Sequence, residues 1–392
     1  MSRIVFFSIP AHGHTNPTVE VVRTLAARGH RVRYYSFEEF RARLEGAGAE
    51  FVPCDSYLPP APRDVERRIG RDFASLIGMV VDVTAAMEER VLGELAAFRP
   101  HCIVADSLCI WGKLYAERLG IPLVCSTTTF AFDQETARGM RPRPGELLRT
   151  LAGVPRIGEK LALLRAHGYR AEKLTDLIQN DSSTDTIVYT SRAFQPGGER
   201  FGERVAFVGP VLPELPAPAE RGNRPLIYVS LGTVMNRNAR FYRNCAEALG
   251  GGPWDVLMSV GSGEQAAALG ALHPNVRAEA RVDQLRVLQA AHVFVTHCGM
   301  NSVSESLSLG VPMVLCPQQS EQRAVARRIQ ALGAGLFPPS RTPAGIRRAV
   351  DVLLRDRARF QAAIAPICES FRQSGGASRA ADFIERIARS KI

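Results

Sequence analysis

Short apolar, β-branched runs alternate with segments of helical spacing along this chain, and the alternation occurs twice. That rhythm restricts the fold more than any other feature, because strands separated by helices pair in parallel through crossover connections. The first series holds strand-like runs at Ile4 to Ile9, Val32 to Ser36, Cys102 to Ala105 and Leu123 to Ser126, with a helical segment from Pro17 to Arg28. Asn16 as N-cap, Pro17 in the first turn and Gly29 at the exit punctuate that helix. After Val205 to Val208 the rhythm stops in GPVLPELPAPAERGNRP, Gly209 to Pro225, whose prolines mark an extended connector. It resumes with strand-like runs at Leu226 to Ser230, Val256 to Val260, Val293 to Thr296 and Met313 to Cys316, separated by helical patterns such as Asn238 to Leu249 and Leu285 to Ala291.

The expected fold class is therefore α/β, with two Rossmann-like, doubly wound parallel-sheet domains whose strand carboxyl ends face a cleft where ligands bind. With 392 residues the chain is too long for one ordinary core, which agrees with two domains. The expected division is 1–208 for the first domain, 209–225 for the linker and 226–374 for the second domain. The tail from Arg341 shows helical apolar spacing at Ile346, Val350, Leu353 and Leu354, then breaks at Gly375 and Gly376. A last helix over 375–392 is expected to pack back on the first domain.

Composition narrows the function classes. Hydrophobic residues make up 46% and charged ones 22%, which is ordinary for a packed soluble protein. The net charge of +10 is carried almost wholly by arginine, and it is dispersed rather than run together, which argues against a nucleic-acid footprint. The eight cysteines include no CxxC pair and several lie in apolar runs, so buried free thiols in a reducing cytoplasm are expected. No stretch reaches the roughly 18 apolar residues of a membrane span. A cytoplasmic protein follows, with its oligomeric state open between monomer and weak dimer.

Chemistry-bearing residues collect where strands end. SIPAHGHTNP, Ser8 to Pro17, places His12 and His14 in a loop after the first strand, loosened by Gly13. An imidazole beside a helix amino terminus is held mostly neutral by the dipole and can serve as a general base near pH 7. Asp106 closes CIVAD at another strand end, within reach of such a base, or it simply caps the next helix. SLGT, Ser230 to Thr233, ends a strand in a Gly and a hydroxyl that suit either a phosphate or a plain turn. No GxGxxG stands in the first loop, so NAD binding is not supported.

In VFVTHCGMNSVSESLSLGVPMVLCPQQSEQ, Val293 to Gln322, a buried strand enters a small-residue turn at Cys298 and Gly299 and then a helix from Asn301 to Gly310. The free N–H groups and dipole at such a junction make an anion site for a nucleotide diphosphate. His297, Asn301 and Ser302 supply donors there. Glu305 either forms a capping box with Ser302 or accepts two ribose hydroxyls. Glu321 and Gln322 offer an acceptor and an amide to a polyhydroxylated group, or a solvated helix start. The remaining histidines lack ligand spacing, so no metal set is expected. Apolar residues around Phe73 to Met87 and Phe130 to Met140 line a core or an acceptor pocket, with Phe73, Met79, Phe130, Phe132 and Met140 as candidate acceptor contacts.

Together HGHTNP, CIVAD, SLGT and the Val293 to Gln322 segment resemble the family-one, GT-B-fold glycosyltransferases that use nucleotide sugars, especially their bacterial macrolide and flavonoid branch, over nearly the whole chain. The resemblance implies the GT-B architecture. It makes His14 the base, with His12 the alternative, and Asp106 its orienting carboxylate. It gives the diphosphate to His297, Gly299, Asn301 and Ser302 with help from Thr233, the ribose to Glu305, and the sugar hydroxyls to Glu321 and Gln322. EARVDQLRVLQ falls where the family shows an aromatic followed by V-P-Q, which puts Arg281 against the base, then Val282, and Gln284 beside the ribose. Arg281 replaces the aromatic and Asp283 the proline; a guanidinium can still stack on a uracil face.

The implied reaction is a metal-independent, inverting transfer of a hexose, glucose foremost, from a UDP-sugar co-substrate to a hydroxyl of a hydrophobic small molecule such as a flavonoid or macrolide. A nucleotide-sugar epimerase of the same fold, or a silent sugar-nucleotide or aglycone binding protein, are the alternatives.

Overall fold

The computed structural model describes residues 1–57, 73–131, 144–172, 184–213, 223–233 and 236–390. The chain divides into two compact units, Met1–Val211 with Ser374–Ile392, and Leu212–Gln373.

In the first unit, β1 (Arg3–Phe7), β2 (Arg31–Ser36), β3 (Glu50–Pro53), β4 (Cys102–Asp106), β5 (Leu123–Thr127), β6 (Thr186–Val188) and β7 (Val205–Phe207) form one parallel sheet. Its order is β3-β2-β1-β4-β5-β6-β7. The central strands read as unbroken apolar runs because both faces are covered, and Ile4, Val5, Cys102 and Ile103 have no exposed surface. Each such isoleucine or valine side chain contributes about 1.5–3 kcal/mol through burial. Among the described residues up to Val211, the α-helices are α1 (His12–Ala27), α2 (Arg41–Glu45), α3 (Phe73–Phe98), α4 (Ile110–Leu119) and α5 (Pro144–Ala166).

Helix α1 begins five residues before the expected Pro17. Ala11 is its N-cap, so His12, Gly13 and His14 form the first turn rather than a loop, and Asn16 does not cap it. Asn16 and Pro17 imitate a helix start, yet Pro17 sits inside the helix. The proline only removes the rung onto residue 13, and the glycine there relieves crowding by the ring. The exit follows the expected pattern. Gly29, at φ +82°, donates to the Ala26 carbonyl at 2.9 Å and His30 to the Leu25 carbonyl at 3.1 Å, a Schellman closure that needs a left-handed residue.

In the second unit, β8 (Leu226–Ser230), β9 (Asp255–Ser259), β10 (Val276–Glu279), β11 (Ala291–Thr296), β12 (Met313–Leu315) and β13 (Gly335–Leu336) form a parallel sheet in the order β10-β9-β8-β11-β12-β13. Its helices are α6 (Ala239–Leu249), α7 (Gly263–Ala267), α8 (Gln284–Ala290), α9 (Met300–Ser308), α10 (Ser320–Ala331), α11 (Pro343–Arg355) and α12 (Arg357–Gln373). After Gly375, α13 (Gly376–Arg389) belongs to the first unit. There Arg28 Nη1 reaches Asp382 Oδ1 at 2.6 Å and Glu385 Oε1 at 3.0 Å, tying α13 to the end of α1.

None of the eight cysteines is in a disulfide, and all but Cys368 are buried. Among the described residues no helix is long and apolar enough to cross a membrane.

Candidate active site

Each sheet has one place where the strand order reverses, between β1 and β4 in the first unit and between β8 and β11 in the second. In open parallel sheets ligands bind outside the carboxyl ends of the strands at such a switch point. Both clusters of chemistry-bearing residues stand there.

In the first unit, Phe7 pairs with Ala105 at the ends of β1 and β4, so the first turn of α1 lies beside Asp106. His14 Nδ1 is 2.7 Å from Asp106 Oδ2. The carboxylate is 2% exposed, and its second oxygen accepts the Leu108 N–H at 2.9 Å. A carboxylate only accepts, so Nδ1 carries the proton and the lone pair falls on Nε2. Thr128 Oγ1 lies 3.3 Å from the same Nδ1. His12 turns elsewhere, 3.5 Å from Glu39 Oε2 and edge-on to Phe40. Only His14 of the two histidines is paired with Asp106. The turn that carries His14 is held from below by a buried hydroxyl pair, Ser8 Oγ and Thr15 Oγ1 at 3.1 Å.

In the second unit, Gly232 follows β8 at φ +79° and Gly299 caps α9. A Cβ on Gly232 would stand 2.7 Å from the His297 ring, and one on Gly299 2.5 Å from its Nε2. The imidazole is thus seated between two backbones that only glycine leaves room for. Burial pushes His297 down to about 4 against a backbone hydrogen bond with Ser230, so it is neutral, and its buried Nδ1 has no hydrogen-bond partner among the described residues. Cys298 between them adopts φ +67°, an uncommon conformation for a residue with a side chain, and its N–H donates to Thr296 Oγ1 at 3.2 Å.

Beside this turn, Gln284 Nε2 donates to Ser302 Oγ at 3.0 Å and to Glu305 Oε2 at 2.6 Å, while its Oε1 accepts from the Tyr228 hydroxyl at 3.2 Å. The capping-box reading of Ser302 and Glu305 is overturned. Helix α9 starts at Met300, so both residues lie inside it, and its N-cap Gly299 has no side chain to contribute. Burial, aided by Asp283, raises the Glu305 carboxyl to about 7 against the favourable Gln284 bond.

Residues 255–370 match the family model for the C-terminal domain of erythromycin biosynthesis protein CIII-like proteins. The chain is 35% identical to the NDP-glycosyltransferase YjiC of Bacillus licheniformis over 97% of this chain and 96% of that one. It is a family-one glycosyltransferase of the GT-B fold. This glycosyltransferase is also 32% identical to the demethyllactenocin mycarosyltransferase of Streptomyces fradiae, over 98% of this chain and 86% of the relative. The solved glycosyltransferase of kitacinnamycin superposes with a TM-score of 0.84 at 30% identity, covering 98% of each chain.

Other expected donor-side residues of the glycosyltransferase fall into place unevenly. Arg281 is exposed and Val282 half-buried just ahead of α8. The Asp283 that stands in place of proline is the N-cap of α8, its carboxylate accepting the Arg286 N–H at 3.3 Å. Thr233 is exposed, with its carbonyl held by Asn236. Asn301 stands in the first turn of α9. Gln322 is a capping residue: its Oε1 accepts the Gln318 and Gln319 N–H groups at 2.8 and 3.2 Å, so its amide nitrogen is the end not used in the cap. Glu321 beside it is exposed.

On the acceptor side, Met79 is half-buried on α3. Phe130 corrects the expectation, being fully buried against Phe194 at 5.7 Å, because the segment after β5 turns it into the core. The side chain of Phe73, and residues Phe132 and Met140, lie outside the described residues. Tyr228 and Thr128 were not legible as site residues. Tyr228 reads as one more apolar position of a strand, and Thr128 as part of a threonine run, so only spatial proximity reveals them.

Proposed function

We propose that this glycosyltransferase moves a hexose, glucose in the first instance, from a UDP-sugar to a hydroxyl of a hydrophobic small molecule of flavonoid or macrolide type, with inversion at the anomeric carbon. The observation that carries the reading is the His14 Nδ1 to Asp106 Oδ2 distance of 2.7 Å at the switch point of the first sheet. His14 Nε2 takes the proton of the acceptor hydroxyl as that oxygen bonds to the anomeric carbon. The bond to the diphosphate breaks in the same step, and UDP leaves with the electron pair. Asp106 stabilises the imidazolium that forms.

In the second unit, Asn301, Ser302, Thr233 and the neutral His297 are the proposed donors to the diphosphate, with the Gly299 backbone allowing close approach. Gln284 and Glu305 face the ribose, Arg281 with Val282 the base, and Glu321 with the Gln322 amide nitrogen the sugar hydroxyls. These neutral donors and the helix dipole are proposed to stabilise the leaving group without a metal. The name of the Bacillus relative leaves the nucleotide base unspecified, and that of the Streptomyces relative points to mycarose on a lactenocin, which fits a small-molecule acceptor.

The test is to incubate the protein with UDP-glucose or dTDP-glucose and a phenolic flavonoid, with and without chelator, beside His14→Ala. A new glycoside that survives chelation and is sharply reduced in the variant is expected. No glycoside from any donor, an isomerised sugar nucleotide alone, or full activity in the variant sinks the proposal. Strict chelator sensitivity sinks its metal-free part.

A further inference from the structure

We propose that Tyr228 is a positioning residue whose phenol fixes which way the Gln284 amide faces, and through that amide the placement of the Glu305 carboxylate. This rests on the reading of Gln284 and Glu305 as the ribose-facing pair. The two ends of a glutamine amide are nearly equal in size, so packing alone does not orient them. Chemistry does. Ionised, Glu305 accepts only and so favours Nε2 on its side, where that nitrogen stands 2.6 Å from Oε2 and 3.0 Å from Ser302 Oγ; protonated, it can also donate and no longer makes that choice. Oε1 must then find a donor on the other side, and the Tyr228 hydroxyl is there at 3.2 Å.

The phenol is well placed to impose this choice. Tyr228 is 1% exposed and stacks on Phe294, ring centroids 4.9 Å apart and planes 16° from parallel. The two residues are register partners on β8 and β11, the strands that flank the switch point. The phenol donates to Gln284 Oε1, with the Ser230 and Ser259 hydroxyls beside its oxygen. With that hydrogen gone, nothing distinguishes the amide's ends from behind, and a flipped amide turns its oxygen onto the carboxylate.

The experiment compares Tyr228→Phe, Gln284→Ala and the double variant with the wild type. One readout needs no nucleotide: the Glu305 carboxyl titration in the ligand-free protein, followed by carbon NMR with Glu305→Gln for assignment. The other is UDP affinity by calorimetry. Loss of the phenol hydrogen should raise the Glu305 midpoint and weaken UDP about two- to tenfold, the scale of one neutral hydrogen bond. The double variant should be no worse than Gln284→Ala. An unchanged midpoint in Tyr228→Phe, or effects that add in the double variant, overturns the proposal. If the midpoints follow the expected cycle while the wild type binds no UDP, the amide lock stands and the donor reading falls.

Discussion

Asp106 holds the Nδ1 side of His14 at 2.7 Å while its own second oxygen is held by the Leu108 N–H, so the carboxylate cannot rotate away without losing a backbone bond. Asp106→Asn keeps the shape but offers an amide where a carboxylate had accepted. For an alkyl-alcohol acceptor, kcat should fall by about 10²–10⁴-fold, the usual worth of acid–base assistance. For a phenol the loss should be smaller, because the hydroxyl is more acidic. Adding His14→Ala should cost little more, since the pair acts as a unit. Initial rates of the three variants on both acceptors check this.

Gly299→Ala places a Cβ 2.5 Å from His297 Nε2 at an ordinary φ of −65°, so the conflict is with the imidazole rather than the backbone. Urea unfolding should show a loss of about 1–3 kcal/mol. The double variant Gly299→Ala, His297→Ala should be no less stable than His297→Ala alone. A loss that persists in the double variant would place the conflict elsewhere.

Glu305 gives a pH dependence whose sign is fixed by its midpoint near 7. A protonated carboxyl loses the charge that strengthens its bonds to two ribose hydroxyls and turns one oxygen into a donor, so UDP affinity should weaken as pH falls from 8 to 6. Glu305→Gln should bind weakly with little pH dependence over that range. Stability moves the opposite way. The folded state holds this proton to higher pH than the unfolded chain, so the wild type should lose stability relative to Glu305→Gln as pH rises from about 4.5 to about 7. Calorimetric titration and urea unfolding across pH measure the two effects.

Gln322 separates capping from recognition. Glutamate at that position can still accept the Gln318 and Gln319 N–H groups, whereas alanine cannot. Gln322→Ala should lower stability by about 1 kcal/mol. Gln322→Glu should unfold near the wild-type midpoint yet show a raised donor KM, because the amide nitrogen proposed to meet the sugar is gone. A donor KM equal to wild type in Gln322→Glu removes this residue from the sugar site.

The fold class was legible because it depends on rhythm: β-branched runs such as LIYVS and VFVT are buried on both faces and cannot be read as amphipathic helices. What misled were residues whose local chemistry imitates a boundary. Asn16 and Pro17 resemble a helix start, yet α1 begins at His12 and carries His14 in its first turn. Ser302 and Glu305 carry capping-box spacing, but Gln284, eighteen positions before Ser302, claims both side chains. Such long-range partners leave no trace in spacing. Phe130 likewise has the composition of a pocket wall and the burial of a core residue.

Helix α13 belongs to the first unit but is separated from the rest of it in sequence by the entire second unit, Leu212–Gln373. Topologically the second unit is an insertion into the first. Chains emerge from the ribosome at about 5–20 residues per second, and domains fold as they are completed. The second unit can therefore close its sheet as soon as α12 is made, while Arg28 still waits for Asp382 and Glu385. The unit translated first is the one finished last, and until then the face of α1 that α13 covers stays open to water.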